Sequence, residues 1–185
     1  PIRMYDCCPV TDGAASVLLC ATEKAKEYTD TPIRIAGIGH ATDIMAVQDR
    51  KDPAVLEAVR ISAAQAFKMA KMTPQDMNLA ELHDAFTILE IVESEDAGFF
   101  KKGTGHIALR DGVTALDGKL PINPSGGLKA RGHPVGATGV SQVVELTWQL
   151  RGDADRRQVK GARRAFSCNM GGFGNNVVSF VLERS

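Results

Sequence analysis

The chain has 185 residues, enough for one ordinary domain with its own core and a remnant of a second. Its 22 Lys and Arg residues balance 22 Asp and Glu, which removes the global field that nucleic acid or an anionic membrane would attract. The four cysteines, Cys7, Cys8, Cys20 and Cys168, lack zinc-ligand spacing and are too few for a disulfide framework, and no apolar run nears the ~18 residues of a membrane span, so no metal, no membrane and a reducing cytoplasm are expected.

Taken in order, Ala14 to Cys20 is a short apolar run after Asp12-Gly13 and predicts a buried strand; Glu23 to Tyr28 predicts a short surface helix. Pro32 to Gly39 alternates and suits a strand entering a sheet. Asp52 as cap and Pro53 in the first turn open a helix over Ala54–Ala70, with Val55, Leu56, Val59, Ala63, Ala66, Phe67 and Ala70 as its apolar stripe. Thr73-Pro74 with Asp76 starts another short helical turn. Leu79 to Leu82 predicts a short strand delivering His83, and Ala85 to Ala97 a helix with Phe86, Leu89 and Val92 inward and Glu90, Glu93 and Glu95 outward. Gly98 to Lys119 reads as a long irregular connection with a small hairpin. Val140, Val143, Val144, Thr147 and Leu150 define one face of a helix that Gly152 ends, and strands over Ala162–Cys168 and Val177–Leu182 close the chain as a hairpin. Strand–helix alternation of this kind implies an α/β fold, a mixed sheet covered by helices.

The chemistry concentrates in three places. Asn123 to Gly139 reads NPSGGLKARGHPVGATG, and Gly126-Gly127 shape the loop ahead of His133. Gly132 lets the chain turn and Pro134 holds His133 toward extended angles, so the imidazole position is constrained. A helix begins a few residues later and aims its free N–H groups at the same loop. Lys129 and Arg131, which flank His133, stand apart from the other basic clusters of the chain as candidates for an anionic ligand. Cys168 ends an apolar strand and precedes Asn169-Met170-Gly171-Gly172; a strand cysteine is often a small buried hydrophobe, while glycines just after it would expose the sulfur to a ligand. The third place is His83-Asp84-Ala85-Phe86. A phosphate-binding loop is a poor account of GHPVGATG, which lacks the Gly-Lys-Ser/Thr ending.

In this order these stretches resemble the C-terminal part of the thiolase family, with its GHP-x-G motif, its terminal Cys-before-glycines motif and an element that is Asn-Glu-Ala-Phe in many members. The resemblance covers nearly the whole chain. It implies a thiolase-like C-terminal domain with a mixed five-stranded sheet over residues 31–185, and residues 1–30 as a remnant of the N-terminal domain. It also implies roles. His133 would activate the nucleophilic cysteine and hydrogen-bond the thioester oxygen, and Cys168 would take the α-proton of an acyl-CoA. His83 stands where an asparagine often holds an oxyanion-hole water, as in the branch resembling archaeal acetoacetyl-CoA thiolases and sterol-carrier-protein thiolases. In some of that branch the acid/base cysteine falls two residues later, which here is Ala85. Met170 and Gly171 stand where backbone N–H groups line an oxyanion hole, and the Met170 side chain would narrow the site. Cys8 falls where many members have a serine near the pantetheine arm, a place that also suits a structural role. Phe86 would contact the acyl thioester or pack in a helix core.

Family members carry their acyl-accepting cysteine in an N-terminal half, so the chain resembles half an enzyme, a fragment or one subunit of a split protein. The expected reaction is reversible Claisen condensation of acyl-CoA, two acetyl-CoA giving acetoacetyl-CoA and CoA. No cofactor is expected beyond coenzyme A thioester as substrate. The expected partners are a thiolase N-terminal half, from the same gene or a separate subunit, and further copies in a homodimer or tetramer. The alternatives are a non-catalytic acyl-CoA-binding or scaffold subunit and an unrelated Gly-rich nucleotide-binding module.

Overall fold

Glycine lets a helix lie directly on a strand here. In this computed structural model, which describes residues 2–184, strand β1 (Ile33–Thr42) passes beneath helix α1 (Glu57–Ala70) at Gly37 and Gly39. A methyl group on Gly39 would come within 1.8 Å of the Ser62 carbonyl oxygen, and one on Gly37 within 2.0 Å of that of Ala66. Small residues on both sides permit that approach, and Ala58, Val59, Ser62, Ala63, Ala66 and Phe67 form the buried face of α1.

Four strands make the sheet in the order β1-β4-β3-β2. The hairpin β3 (Arg164–Gly171) and β4 (Asn176–Arg184) is antiparallel, β1 adds antiparallel to β4 with a bulge between Ile35 and Gly37, and β2 (Leu79–Glu81) lies parallel to β3. The sheet has four strands where five were expected; beside β2 a single parallel bridge joins Ala80 to Ile122, and Asn123 at φ +53 and Pro121 without an N–H keep it from extending.

The pleat divides the core in two. On one face, Ala80, Leu82, Phe166, Met170, Val177 and Val181 meet α1 and α2 (Thr87–Asp96); Phe166 stacks on Phe67 at 5.0 Å, with Phe99 edge-on at 5.4 Å. On the other, Leu79, Ala165 and Leu182 meet Leu146 and Leu150 of α5 (Thr138–Arg151), which Gly152 ends at φ +93.

Several local expectations are corrected. Ala14–Cys20 is not a strand: no backbone ladder reaches it, and Leu18 and Leu19 are exposed. Thr22–Glu27 is a 3₁₀ helix. Helix α1 begins at Glu57, since Asp52 closes a turn onto the Ala54 N–H, and the Leu56 N–H is taken instead by Asp96. The segment read as a hairpin holds the helix α3 (Gly105–Arg110), whose first N–H is held by Glu95 at 2.8 Å. In α2, Glu93 is wholly buried rather than outward and Phe86 is half exposed rather than inward. The buried stripe of α5 includes Gln142, Glu145 and Gln149, while its valines are half-buried; Glu145 is tied to Arg157 at 2.9 Å and Gln149 to the Arg157 carbonyl at 2.7 Å. Helical periodicity is satisfied in both helices, and polar partners settle which face is buried.

Candidate active site

The site is built outward from the end of β2. Glu81, fully buried, accepts hydrogen bonds from the Ser125 N–H at 3.1 Å and the Ser125 hydroxyl at 2.8 Å. Asp84 accepts from the N–H of Leu128 at 2.6 Å and of Lys129 at 3.4 Å, which caps the short helix α4 (Gly127–Arg131). Gly127 has to be glycine: at φ +61, a methyl group would lie 2.2 Å from Asp84 Oδ2. Two carboxylates at the end of one strand therefore hold the loop that leads to His133. Gly132, at φ +89, lies against Thr11, and Gly13 against Pro134, so the N-terminal segment forms one wall of the loop.

His133 and His83 meet with ring centroids 4.9 Å apart, edge to face. Thr138 Oγ1 lies 2.6 Å from His133 Nδ1 and 3.1 Å from the Pro134 carbonyl four residues back, so a hydroxyl that donates to that carbonyl accepts from Nδ1. In that arrangement His133 carries its proton on Nδ1 and keeps a lone pair on Nε2. Burial first, and then the Arg131 charge, lower its pKa, against a smaller opposing effect of Asp84. His83 is 5% exposed, its N–H bonded to Glu93 at 3.0 Å and its Nδ1 lying 2.8 Å from Asn169 Oδ1. Burial pushes its pKa down to about 4, the Asn169 bond opposing and the His133 charge adding to the effect. Both imidazoles are thus neutral at pH 7, the state a general base requires.

Cys168 does not join them. Its side chain falls on the α1 face of β3, 0% exposed within the core cluster, whereas Asn169 falls on the histidine face. Burial, and then the charge of Glu93, push the thiol well above its ordinary pKa. The expected exposure of this sulfur is therefore corrected: the glycines follow two residues too late to open the strand around it. Met170 has the same parity and packs in the same core, so its side chain does not narrow the histidine pocket. Gly171, exposed, pairs with Asn176 at the strand end. Cys8 donates its N–H to the Ala85 carbonyl at 2.9 Å, and Cys7 bridges Phe86, which places this segment and the half-exposed Phe86 beside His83-Asp84. Burial raises the Cys8 pKa.

One participant, Asn169, escaped the sequence reading, and another, Arg131, is placed differently from the ligand-facing cation expected. Asn169 was read only as part of the glycine run, and strand parity from Cys168 is the signal that would have found it. Arg131 turns its guanidinium inward, bonding Ser141 through Nη1 and standing 3.7 Å from Glu81 through Nη2. Among the described residues no cluster of His, Cys, Asp and Glu has metal-holding geometry, and no helix is long and apolar enough to cross a membrane.

A sequence profile for thiolase C-terminal domain-like sequences matches residues 39–184. An acetyl-CoA acetyltransferase of Methanothermobacter thermautotrophicus is 49% identical over 184 residues, covering 100% of this chain and 48% of that protein. One from Methanocaldococcus jannaschii is 40% identical, covering 99% and 48%. Human sterol carrier protein 2 is 36% identical over 183 residues, covering 96% of this chain and 34% of its own length. Among solved structures, a chain of the Ltp2-ChsH2(DUF35) aldolase shares the fold with a TM-score of 0.88 at 22% identity, covering 100% of this chain and 48% of its own. The chain spans about half the length of the archaeal relatives it matches. With a profile matched over most of its residues, it belongs to the thiolase family.

Proposed function

We propose that this chain is the C-terminal part of a thiolase that interconverts acyl-CoA thioesters by reversible Claisen condensation, with two acetyl-CoA and acetoacetyl-CoA plus CoA as its reactants. The observation that carries the reading is the neutral His133, hydrogen-bonded to Thr138 through Nδ1, beside the buried neutral His83. Names borne by the archaeal relatives supply the acetyl-CoA chemistry.

In the acyl-transfer half-reaction, His133 Nε2 takes the proton of a cysteine thiol supplied by a thiolase N-terminal half. The thiolate attacks the thioester carbonyl, and the imidazolium just formed donates that proton as a hydrogen bond to the developing oxyanion. Collapse breaks the carbon–sulfur bond to CoA, whose sulfur leaves with the His133 proton. His83 completes the wall around the same thioester, and Cys8 and Phe86 line its approach.

Residues 1–30 would be the last piece of the N-terminal domain and residues 31–185 the C-terminal domain. The bare segment supports this: Val17, Leu18 and Tyr28 line, with Ile33, Ile35, Val143 and Leu182, a cleft of about 530 Å³ that an N-terminal half would fill. The apolar residues of this cleft favour pairing and, in the whole protein, a homo-oligomer; the cytoplasm is its proposed location. In the whole protein, His133→Ala should lower acetoacetyl-CoA cleavage by about 10²- to 10⁴-fold. Cleavage at the native rate would refute the reading.

A second reading, a thiolase-like subunit that binds acyl-CoA or a partner without turnover, is favoured by one observation: the buried Cys168 and Ala85 leave both of the family's acid/base cysteine positions without a thiol in the pocket. Tight CoA binding with no cleavage or condensation by the whole protein would select it.

A further inference from the structure

The two histidines are held by partners of different kinds. Thr138 has one proton to give, with a backbone carbonyl and His133 Nδ1 both within reach of its hydroxyl. Asn169 carries both an acceptor and a donor group on one amide, so the way that amide faces decides which nitrogen of His83 bears the proton. The amide oxygen is the atom turned to the ring. One side meets His83 Nδ1 at 2.8 Å, and the other lies against the start of α5 so closely that a methyl group on Gly139 would come within 2.9 Å of Asn169 Nδ2. The backbone of His83 is fixed independently by Glu93, so only the ring's protonation remains for Asn169 to set.

We propose that Asn169 is a positioning residue that holds His83 as the Nδ1–H tautomer, so that His83 Nε2 meets a ligand as a proton acceptor. Gly139 leaves room for the amide nitrogen on the side away from the ring. Burial keeps the imidazole neutral at pH 7, which makes the choice of tautomer matter. In catalytic terms the inference rests on the thioester reading: a ligand oxygen gaining negative charge would then draw its hydrogen bond from protonated His133 and not from His83. The tautomer itself is a property of this chain and can be measured without turnover.

Long-range ¹H–¹⁵N spectra of the histidine rings in the full 185-residue chain read the protonated nitrogen directly, and His83→Gln identifies the signals of this ring. The expected result at pH 7 is the Nδ1–H pattern for His83. Asn169→Ala should abolish that preference. Asn169→Asp, whose carboxylate only accepts, should retain the Nδ1–H pattern while raising the pKa of His83 by about one unit or more. This second variant provides a reference spectrum should the alanine variant fail to fold: a wild-type pattern matching it supports the proposal. A wild-type Nε2–H pattern, or an Asn169→Ala spectrum identical to wild type, would overturn it. Neither outcome bears on the thioester reading, which stands or falls on the His133→Ala rate.

Discussion

Cys168 and Asn169 are neighbours in the chain, and the pleat of β3 sends their side chains to opposite faces of the sheet, the thiol under α1 and the amide onto His83. One residue of register separates a core position from a site position. A thiol reacts as its thiolate and only where a reagent can reach it, and Cys168 meets neither condition. Brief alkylation of the native chain should therefore modify exposed Cys20 and leave Cys168 intact until denaturant is added, as peptide mass spectrometry would record. Equal rates at the two positions would mean that β3 is placed in the wrong register.

Two buried groups give the stability of the chain opposite dependences on pH. His83 has its folded pKa near 4, below the ordinary 6.5, so the folded state binds fewer protons between those values and stability falls as pH drops through the window. Glu81 has its folded pKa near 7, above the ordinary 4.5, so its contribution is fully present below 4.5 and is lost as pH rises through 7. Each effect is on the order of 3 kcal/mol. In urea unfolding from pH 4 to 8, His83→Gln should remove the loss toward acid, and Glu81→Gln the loss toward neutrality. Parallel curves for all three proteins would contradict both assignments.

The approach of α1 to β1 predicts a sharp contrast between two glycines. Gly39→Ala forces a methyl group into the Ser62 carbonyl and should cost about 3 kcal/mol, the upper end for overpacking, in a thermal or urea melt. Gly136→Ala meets nothing within 4 Å and should shift stability by less than about 0.5 kcal/mol.

Thr138 acts on the proposed chemistry only through His133. Thr138→Val keeps the shape and removes the acceptor for Nδ1–H, which should lower kcat of the whole protein roughly tenfold, the worth of one hydrogen bond, with KM little changed. Thr138→Ser should restore most of the rate. A valine variant as active as wild type would leave the His133 tautomer without consequence.

The sequence displayed the order of elements well. Alternation located β1, two strands around a Gly/Asn loop located the β3–β4 hairpin, an apolar stripe located α1, and the family resemblance grouped His133 with His83. What stayed hidden depended on partners distant in the chain. Glu93 reads as solvated by helical position alone, yet the His83 N–H draws one of its oxygens into the core. Gln142 stands off the apolar face read for α5, yet it is buried with its amide donating to the Cys168 carbonyl 3.1 Å away. Glycines after Cys168 suggested an open sulfur, whereas β3 continues regularly to Gly171 and strand parity buries it. Hydrophobic pattern identifies elements; it does not show which polar groups will find one another across a sheet.

The bulge in β1 has a consequence beyond packing. This strand forms one end of the sheet, ten residues long, with half-exposed Ile35 and Ile38, which is the kind of border that recruits foreign strands into fibrils. The extra residue between Ile35 and Gly37 puts the two halves of that border out of step, so an incoming strand in register with one half is misaligned with the other. Arg34, paired with Glu183, adds charge at the same place. Deleting Ala36 would restore an unbroken template, and turbidity that rises steeply with protein concentration is the expected sign.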